Sequence, residues 1–129
     1  MRRSRGAART GGGGRLPALV QGPFYLATGL WPLVDMRSFQ RVTGPKTDLW
    51  LVKTVGGLIA VVGGVLTLAG LRGRVGPETT SLAMGSAAFL SAIDVTYVSK
   101  RRISRVYLLD AAAELGLVAL WATALRRRP

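Results

Sequence analysis

The sequence contains no cysteine and no histidine, and only 6 of its 129 residues are acidic. Without cysteine the chain has no disulfide, no thiol nucleophile and no iron–sulfur site. Without histidine it has no imidazole-based zinc site, no bis-histidine haem ligation and no histidine-dependent catalytic triad. No cofactor or metal motif replaces them. We therefore expect no cofactor, no metal and no catalytic residue, and we predict that the protein is not an enzyme.

Apolar and basic residues are abundant, but they occupy different parts of the chain. Hydrophobic residues make up 49% of the sequence, the mean hydropathy is +0.31 and the formal net charge is +12. The charges cluster at the termini and between long apolar runs, whereas a soluble domain would interleave the two classes at helical or strand periods. A pI near 11.7 would otherwise indicate nucleic-acid binding. The block pattern instead predicts a multi-pass membrane protein with no nucleic-acid partner.

The fold class predicted from this pattern is all-α, a transmembrane antiparallel four-helix bundle with a disordered basic N-terminal tail. Residues 1–15 form that tail, because five arginines and four consecutive glycines cannot bury a core. The run 54–71 carries no charged side chain and approaches the length needed to cross a hydrocarbon core of ~30 Å. Within a membrane domain at 16–125, followed by a basic end at 126–129, we predict spans at about 16–34, 49–71, 79–99 and 106–125.

An even number of spans places both termini on one side of the membrane. That side would carry ten arginines, and the other side would carry seven lysines and arginines. The positive-inside rule therefore predicts cytoplasmic termini. The opposite orientation, and a dual-topology dimer, remain open alternatives.

Ionisable residues inside predicted spans are the candidates for function, because a charge in hydrocarbon is costly and usually faces a bundle interior. The ionisable residues inside predicted spans are Lys53, Asp94, Asp110 and Glu114. Counted from the membrane side that carries loop 35–48, all four fall in the same half of the membrane, with Glu114 deepest at ~12 Å. Tyrosines flank them at helical spacing, and Trp121 follows Glu114 by seven residues on the same face. The predicted ligand-binding residues are Lys53, Asp94, Tyr97, Tyr107, Asp110 and Glu114.

Three interpretations of this polar cluster stay open. In the first, Asp110 and Glu114 anchor a small ligand or lipid headgroup, or support a partner subunit, with Lys53 as their counter-charge and loop 35–48 as a cover. In the second, the protein is a small proton-coupled transporter or exporter, in which Glu114 alternates between proton and substrate. In the third, the aspartates pair with the basic link 100–105 and Lys53 reaches the headgroups, so that the cluster is structural.

Small residues and basic loops indicate further contacts. Gly56, Ala60 and Gly64 recur every four residues, a spacing that lets another helix approach closely. The basic loops attract anionic lipid in addition to the surrounding bilayer. We also expect either a homodimer or a partner membrane protein.

Two stretches carry a family resemblance, YLATGLWPLVDMRSFQRVTGPKTDLWLVKTVGG at 25–57 and IDVTYVSKRRISRVYLLDAAAEL at 93–115. Both resemble an uncharacterised family of small bacterial four-helix membrane proteins. The size and span count are also loosely similar to those of DoxX-like proteins. The resemblance implies a bacterial inner-membrane protein with four spans, and it implies no activity and no functional residue.

Overall fold

The computed structural model describes the backbone of residues 2–126 and the side chains of residues 14–126. Every regular element among these residues is an α-helix, so the all-α prediction is confirmed. The helices are α1 (Arg2–Val34), α2 (Met36–Thr43), α3 (Leu49–Arg72), α4 (Pro77–Ser99) and α5 (Tyr107–Arg126).

Three of these helices are long and apolar enough to cross a membrane. The mean hydropathy of the best window is 2.0 in α3, 1.3 in α4 and 1.6 in α5. Large apolar side chains lie on their outer surfaces, with Phe89 64% and Leu109 72% exposed. An outer surface of this composition fits hydrocarbon. The described part of the chain thus has the helices of a membrane protein, with bounds within two residues of the predicted spans.

The N-terminal helix differs from the prediction. α1 begins at Arg2, whereas we predicted disorder over residues 1–15. Arginine and alanine in residues 2–9 favour helix and the four glycines at 11–14 oppose it, but extending an existing helix costs less than nucleating one. Among the described side chains of α1, buried positions recur from Gly14 to Pro32. α1 is not one of the three apolar helices among the described residues, because Gln21 and three prolines interrupt its apolar run.

α1 packs against α3 through facing small residues, and the pairs follow opposite residue order along the two helices. Gly29 lies against Ala60, Gly22 lies against Thr67, and Leu19 lies against Gly70. A Cβ atom on Gly29 would come 2.5 Å from the carbonyl oxygen of Gly56. Small residues at this spacing permit such a close approach of two helix backbones.

Two of the three residues of the predicted stripe lie in the contact with α1. Gly56 and Ala60 are buried against α1. The third buried small residue is Gly63, not Gly64, because the contact advances by three residues at this point. Gly64 is only half-buried, and its nearest neighbour would be a leucine side-chain atom 3.9 Å away.

The loop between α1 and α3 contains a short helix that the sequence analysis had treated as loop. Asp35 caps α2, its side chain accepting a hydrogen bond from the Ser38 backbone N–H at 3.2 Å. The Trp31 indole donates to the Ser38 hydroxyl at 2.7 Å, and its ring meets Phe39 edge-on at 5.4 Å. α2 is therefore fixed to the end of α1.

Candidate functional site

Two carboxyl groups are buried because they continue the apolar inner faces of α4 and α5. On α4 the buried residues recur every three or four positions and end at Asp94. On α5 the same spacing leads from Ala111 through Glu114 to Leu117 and Trp121. Asp94 is 5% exposed and Glu114 is 2% exposed. The inner faces of α4 and α5 therefore direct both carboxyl groups into the protein.

Asp110 completes a group of three carboxyl groups, which we call the acidic cluster: Asp94, Asp110 and Glu114. Asp110 is half-buried and lies within interaction distance of both other members. Tyr107, one turn before Asp110, borders Asp94 and Asp110. Four of the six predicted ligand-binding residues are thus brought together.

Tyr25 of α1 holds the deepest member of the cluster. Its hydroxyl donates to Glu114 Oε1 at 2.6 Å, and the ring is only 1% exposed. One turn earlier on α1, Gln21 accepts a hydrogen bond from the Trp121 indole at 2.7 Å and donates to the Ala83 carbonyl at 3.0 Å. A polar side-chain path thus runs from the acidic cluster into the apolar interior and ends at a backbone carbonyl.

One buried oxygen of the cluster, Asp94 Oδ2, has no hydrogen-bond partner among the described residues. A buried carboxylate oxygen without a donor is costly, because hydration is lost and nothing replaces it. This atom therefore needs a proton or a cationic group beside it.

The end of the loop 35–48 covers the outer side of the cluster. Thr43 at the end of α2 lies against Tyr107. Lys46 Nζ lies 5.2 Å from the centroid of the Tyr107 ring and donates to the carbonyls of Thr43 and Gly44, each at 3.1 Å. Partial burial lowers the pKa of Lys46. The ammonium of Lys46 is held by these two carbonyls and the Tyr107 ring, and it does not pair with a carboxyl group of the cluster. Lys46 therefore lies over the site as part of its cover.

Lys53 and Tyr97 do not join the acidic cluster. Lys53 is exposed near the start of α3. Tyr97 is 38% exposed, with Lys100 Nζ 5.7 Å from its ring centroid. The inner face of α4 continues from Asp94 to the half-buried Val98, because four residues bring a helix closer to the same face than three. Lys53, the predicted counter-charge of the carboxyl groups, is thus absent from the site.

The sequence analysis missed Tyr25, Gln21, Thr43 and Lys46. Gln21 and Tyr25 stand four residues apart, so a polar pair on one face of span 1 was a visible signal. Contacts from the loop had no such signal, because nothing in the sequence predicts which loop residues fold over a helix end.

A metal site has no support from this geometry. Among the residues that the structure describes, no three acidic side chains are arranged to hold a metal ion. The chemistry available is that of carboxyl groups and a phenol, which exchange protons or bind cationic groups.

Comparisons with known proteins give no relative for this chain. No family model matches it, no curated protein is significantly similar to it, and no solved structure is significantly similar to it.

Proposed function

We propose that the chain is an integral membrane protein that binds a small organic cation at the acidic cluster. The observation that carries this proposal is Asp94 Oδ2, a buried carboxylate oxygen without a donor beside two further carboxyl groups. Three carboxyl groups in such surroundings cannot all stay ionised without added positive charge. A bound cation supplies that charge, and protons supply it when the cation is absent.

The proposed setting is an antiparallel bundle of four spans in a bacterial inner membrane, with cytoplasmic termini. Among the side chains that the structure describes, buried positions on α1 extend from Gly14 to Pro32, which at ~1.5 Å per residue is a stripe of at least ~27 Å, close to the hydrocarbon thickness. This length supports α1 as the fourth span, despite its lower hydropathy. The resemblance noted above supports the bacterial origin, and the basic residues at the termini support the orientation.

Guanidinium is a suitable probe for binding, because it stays charged at all working pH values and pairs with carboxylates through parallel N–H bonds. We expect saturable binding to the purified full chain by isothermal titration calorimetry, with release of protons into the medium. Removing one buried charge partner costs at least ~2 kcal/mol, so Asp94→Asn and Glu114→Gln should weaken binding at least ~30-fold.

Glu78→Gln is the matched control. It removes an acidic charge from the exposed start of α4, away from the cluster, and should bind guanidinium like the unmodified protein. The proposal fails if the unmodified protein does not bind guanidinium. It fails equally if the cluster variants bind as well as the Glu78 variant.

Proton-coupled transport is the second candidate, and the different depths of Asp110 and Glu114 favour it. Asp110 is half-buried whereas Glu114 is buried, so a cation could move from the outer carboxylate to the inner one. Proteoliposomes with a pH gradient test this directly. Uptake of labelled guanidinium that disappears in Glu114→Gln supports transport, and binding without uptake rejects transport while leaving the binding proposal intact.

A further inference from the structure

Basic side chains from two separate segments meet at one end of the molecule. Loop 35–48 contributes the exposed Arg37 and Arg41, one turn apart on α2. The link between α4 and α5 contributes four more exposed cations. The two segments touch, because a Cβ atom on Gly44 would lie 3.6 Å from Ser104 Cβ. We call these residues the basic surface: Arg37, Arg41, Lys100, Arg101, Arg102 and Arg105.

An aromatic belt independently places this surface at headgroup level. Five large aromatic residues lie at this end of the helices, at the end of α1, in α2, at the start of α3, at the end of α4 and at the start of α5. Tryptophan and tyrosine concentrate at membrane–water interfaces, because their rings are apolar and their edges are polar. The basic surface flanks these residues, which are Trp31, Phe39, Trp50, Tyr97 and Tyr107.

The backbone at Arg101 gives a second reason to look for a ligand here. After α4 the chain reverses, with Arg101 N–H donating to the Val98 carbonyl at 3.0 Å and Arg102 N–H donating to the Tyr97 carbonyl at 2.9 Å. Arg101 takes φ 58°, the left-handed conformation that glycine fills without steric cost. The backbone conformation favours glycine at position 101, so the arginine there adds a positive charge that the turn itself does not require.

We propose that the basic surface binds the phosphate headgroups of anionic phospholipids. Its six cations are exposed, whereas the carboxyl groups of the acidic cluster at the same end of the helices are buried or half-buried. Asp35 is occupied as the cap of α2, and Asp48 is the other acidic residue of the loop. Lys46 is excluded from the surface, because its ammonium already contacts carbonyls and rings. Lipid attraction of about 1 kcal/mol per cation near the membrane suits such an array.

The test uses the full chain in nanodiscs containing equal parts of phosphatidylglycerol and phosphatidylcholine. Native mass spectrometry after release counts the lipids of each type that stay bound. We expect phosphatidylglycerol to be retained in clear excess. Substituting Arg101→Gly together with Arg102→Gln should reduce that preference roughly 10- to 30-fold. The glycine relieves the strained backbone, so misfolding does not account for a loss.

Arg72→Gln with Arg74→Gln is the control, because it removes two exposed arginines from the link at the opposite end of the helices. Equal retention of the two lipids by the unmodified protein overturns the proposal, and so does an equal loss in the control pair. Complete displacement of the lipid by inorganic phosphate would also overturn it, because the site would then recognise free phosphate. Guanidinium binding at the acidic cluster should stay unchanged in Arg101→Gly, which separates the two proposals.

Discussion

At the residue scale, two side chains of α1 satisfy the polar interior of the protein. Tyr25 bonds Glu114, and Gln21 bonds both Trp121 and the carbonyl of Ala83. These groups stand 89 and 100 residues from their side-chain partners in α5. α1 and α5 are therefore joined by hydrogen bonds inside the protein, where each unpaired polar group would be costly.

Tyr25→Phe removes only the hydroxyl that bonds Glu114 and leaves the ring in place. We expect a loss of about 1–2 kcal/mol in the free energy of unfolding, because Glu114 loses its donor. Unfolding of the detergent-solubilised protein by sodium dodecyl sulfate measures this loss. Tyr97→Phe is the control, since Tyr97 lies at the exposed end of α4 and should change stability by less than ~0.5 kcal/mol. Equal stability of both variants would contradict the role given to the Tyr25 hydroxyl.

Lys53→Ala should leave the free energy of unfolding within ~0.5 kcal/mol of the unmodified value. The sequence suggested Lys53 as the partner of buried carboxylates, and its removal would then strand them. The structure leaves its side chain exposed near the start of α3, so no buried carboxylate depends on it. The same unfolding titration decides, and a loss of several kcal/mol would contradict this placement.

At the element scale, contact between α1 and α3 depends on glycines whose neighbours are backbone atoms. A Cβ atom on Gly63 would lie 2.5 Å from Leu26 N and 2.6 Å from the Gly22 carbonyl oxygen. The adjacent Gly64 would meet only a side-chain methyl group at 3.9 Å. Two neighbouring glycines therefore have different requirements for space.

Gly63→Ala should destabilise the protein by about 1–3 kcal/mol, because the two backbones must move apart. Gly64→Ala is the matched control and should be neutral or slightly stabilising, since alanine favours helix and meets ordinary contacts. Unfolding in detergent measures both variants. Equal losses would mean that the helices meet along a different line.

α2 should respond to acid through its cap. The backbone N–H of Ser38 donates to Asp35 and lowers the pKa of that carboxyl. A lowered pKa in the folded state stabilises the helix above the usual aspartate range, and this stabilisation is lost as the pH falls through the lowered value. The ¹⁹F resonance of fluorotryptophan at position 31 should shift in that range, since the Trp31 indole bonds Ser38.

Asp35→Asn provides the control for this acid response. Asparagine caps helices about as well as aspartate but does not titrate. The resonance of Trp31 should therefore stay constant in this variant over the same range. A shift of equal size in both proteins would assign the acid response to another carboxyl group.

At the scale of the whole molecule, the absence of cysteine permits single-cysteine mapping of the topology without a background signal. Four spans require Ser38→Cys and Ser104→Cys to react from one side of the membrane. Ser4→Cys and Arg74→Cys should react from the other. Impermeant maleimide applied to sealed vesicles of known orientation reads this pattern. Reaction of position 4 from the same side as position 38 would show that α1 does not cross.

The helices α3 to α5, and the part of the site that lies on α5, could be predicted because both follow from the local pattern of the sequence. Apolar length set the bounds of α3, α4 and α5, and helical spacing brought Asp110 and Glu114 to one face. Rotation between helices could not be predicted in this way. Gly63 packs against the backbone of α1 and the adjacent Gly64 does not, although they differ by one position. The exposure of Lys53 likewise depends on which helices pack against α3. Those choices are made by tertiary contacts.

The bonds between α1 and α5 also set an order for biosynthesis. Tyr25 leaves the ribosome 89 residues before Glu114, its partner. At roughly 5–20 residues per second, that interval is about 5–20 s. During this time Gln21 and Tyr25 lack their side-chain partners on α5. α5 therefore completes the hydrogen bonding of α1 only after this interval.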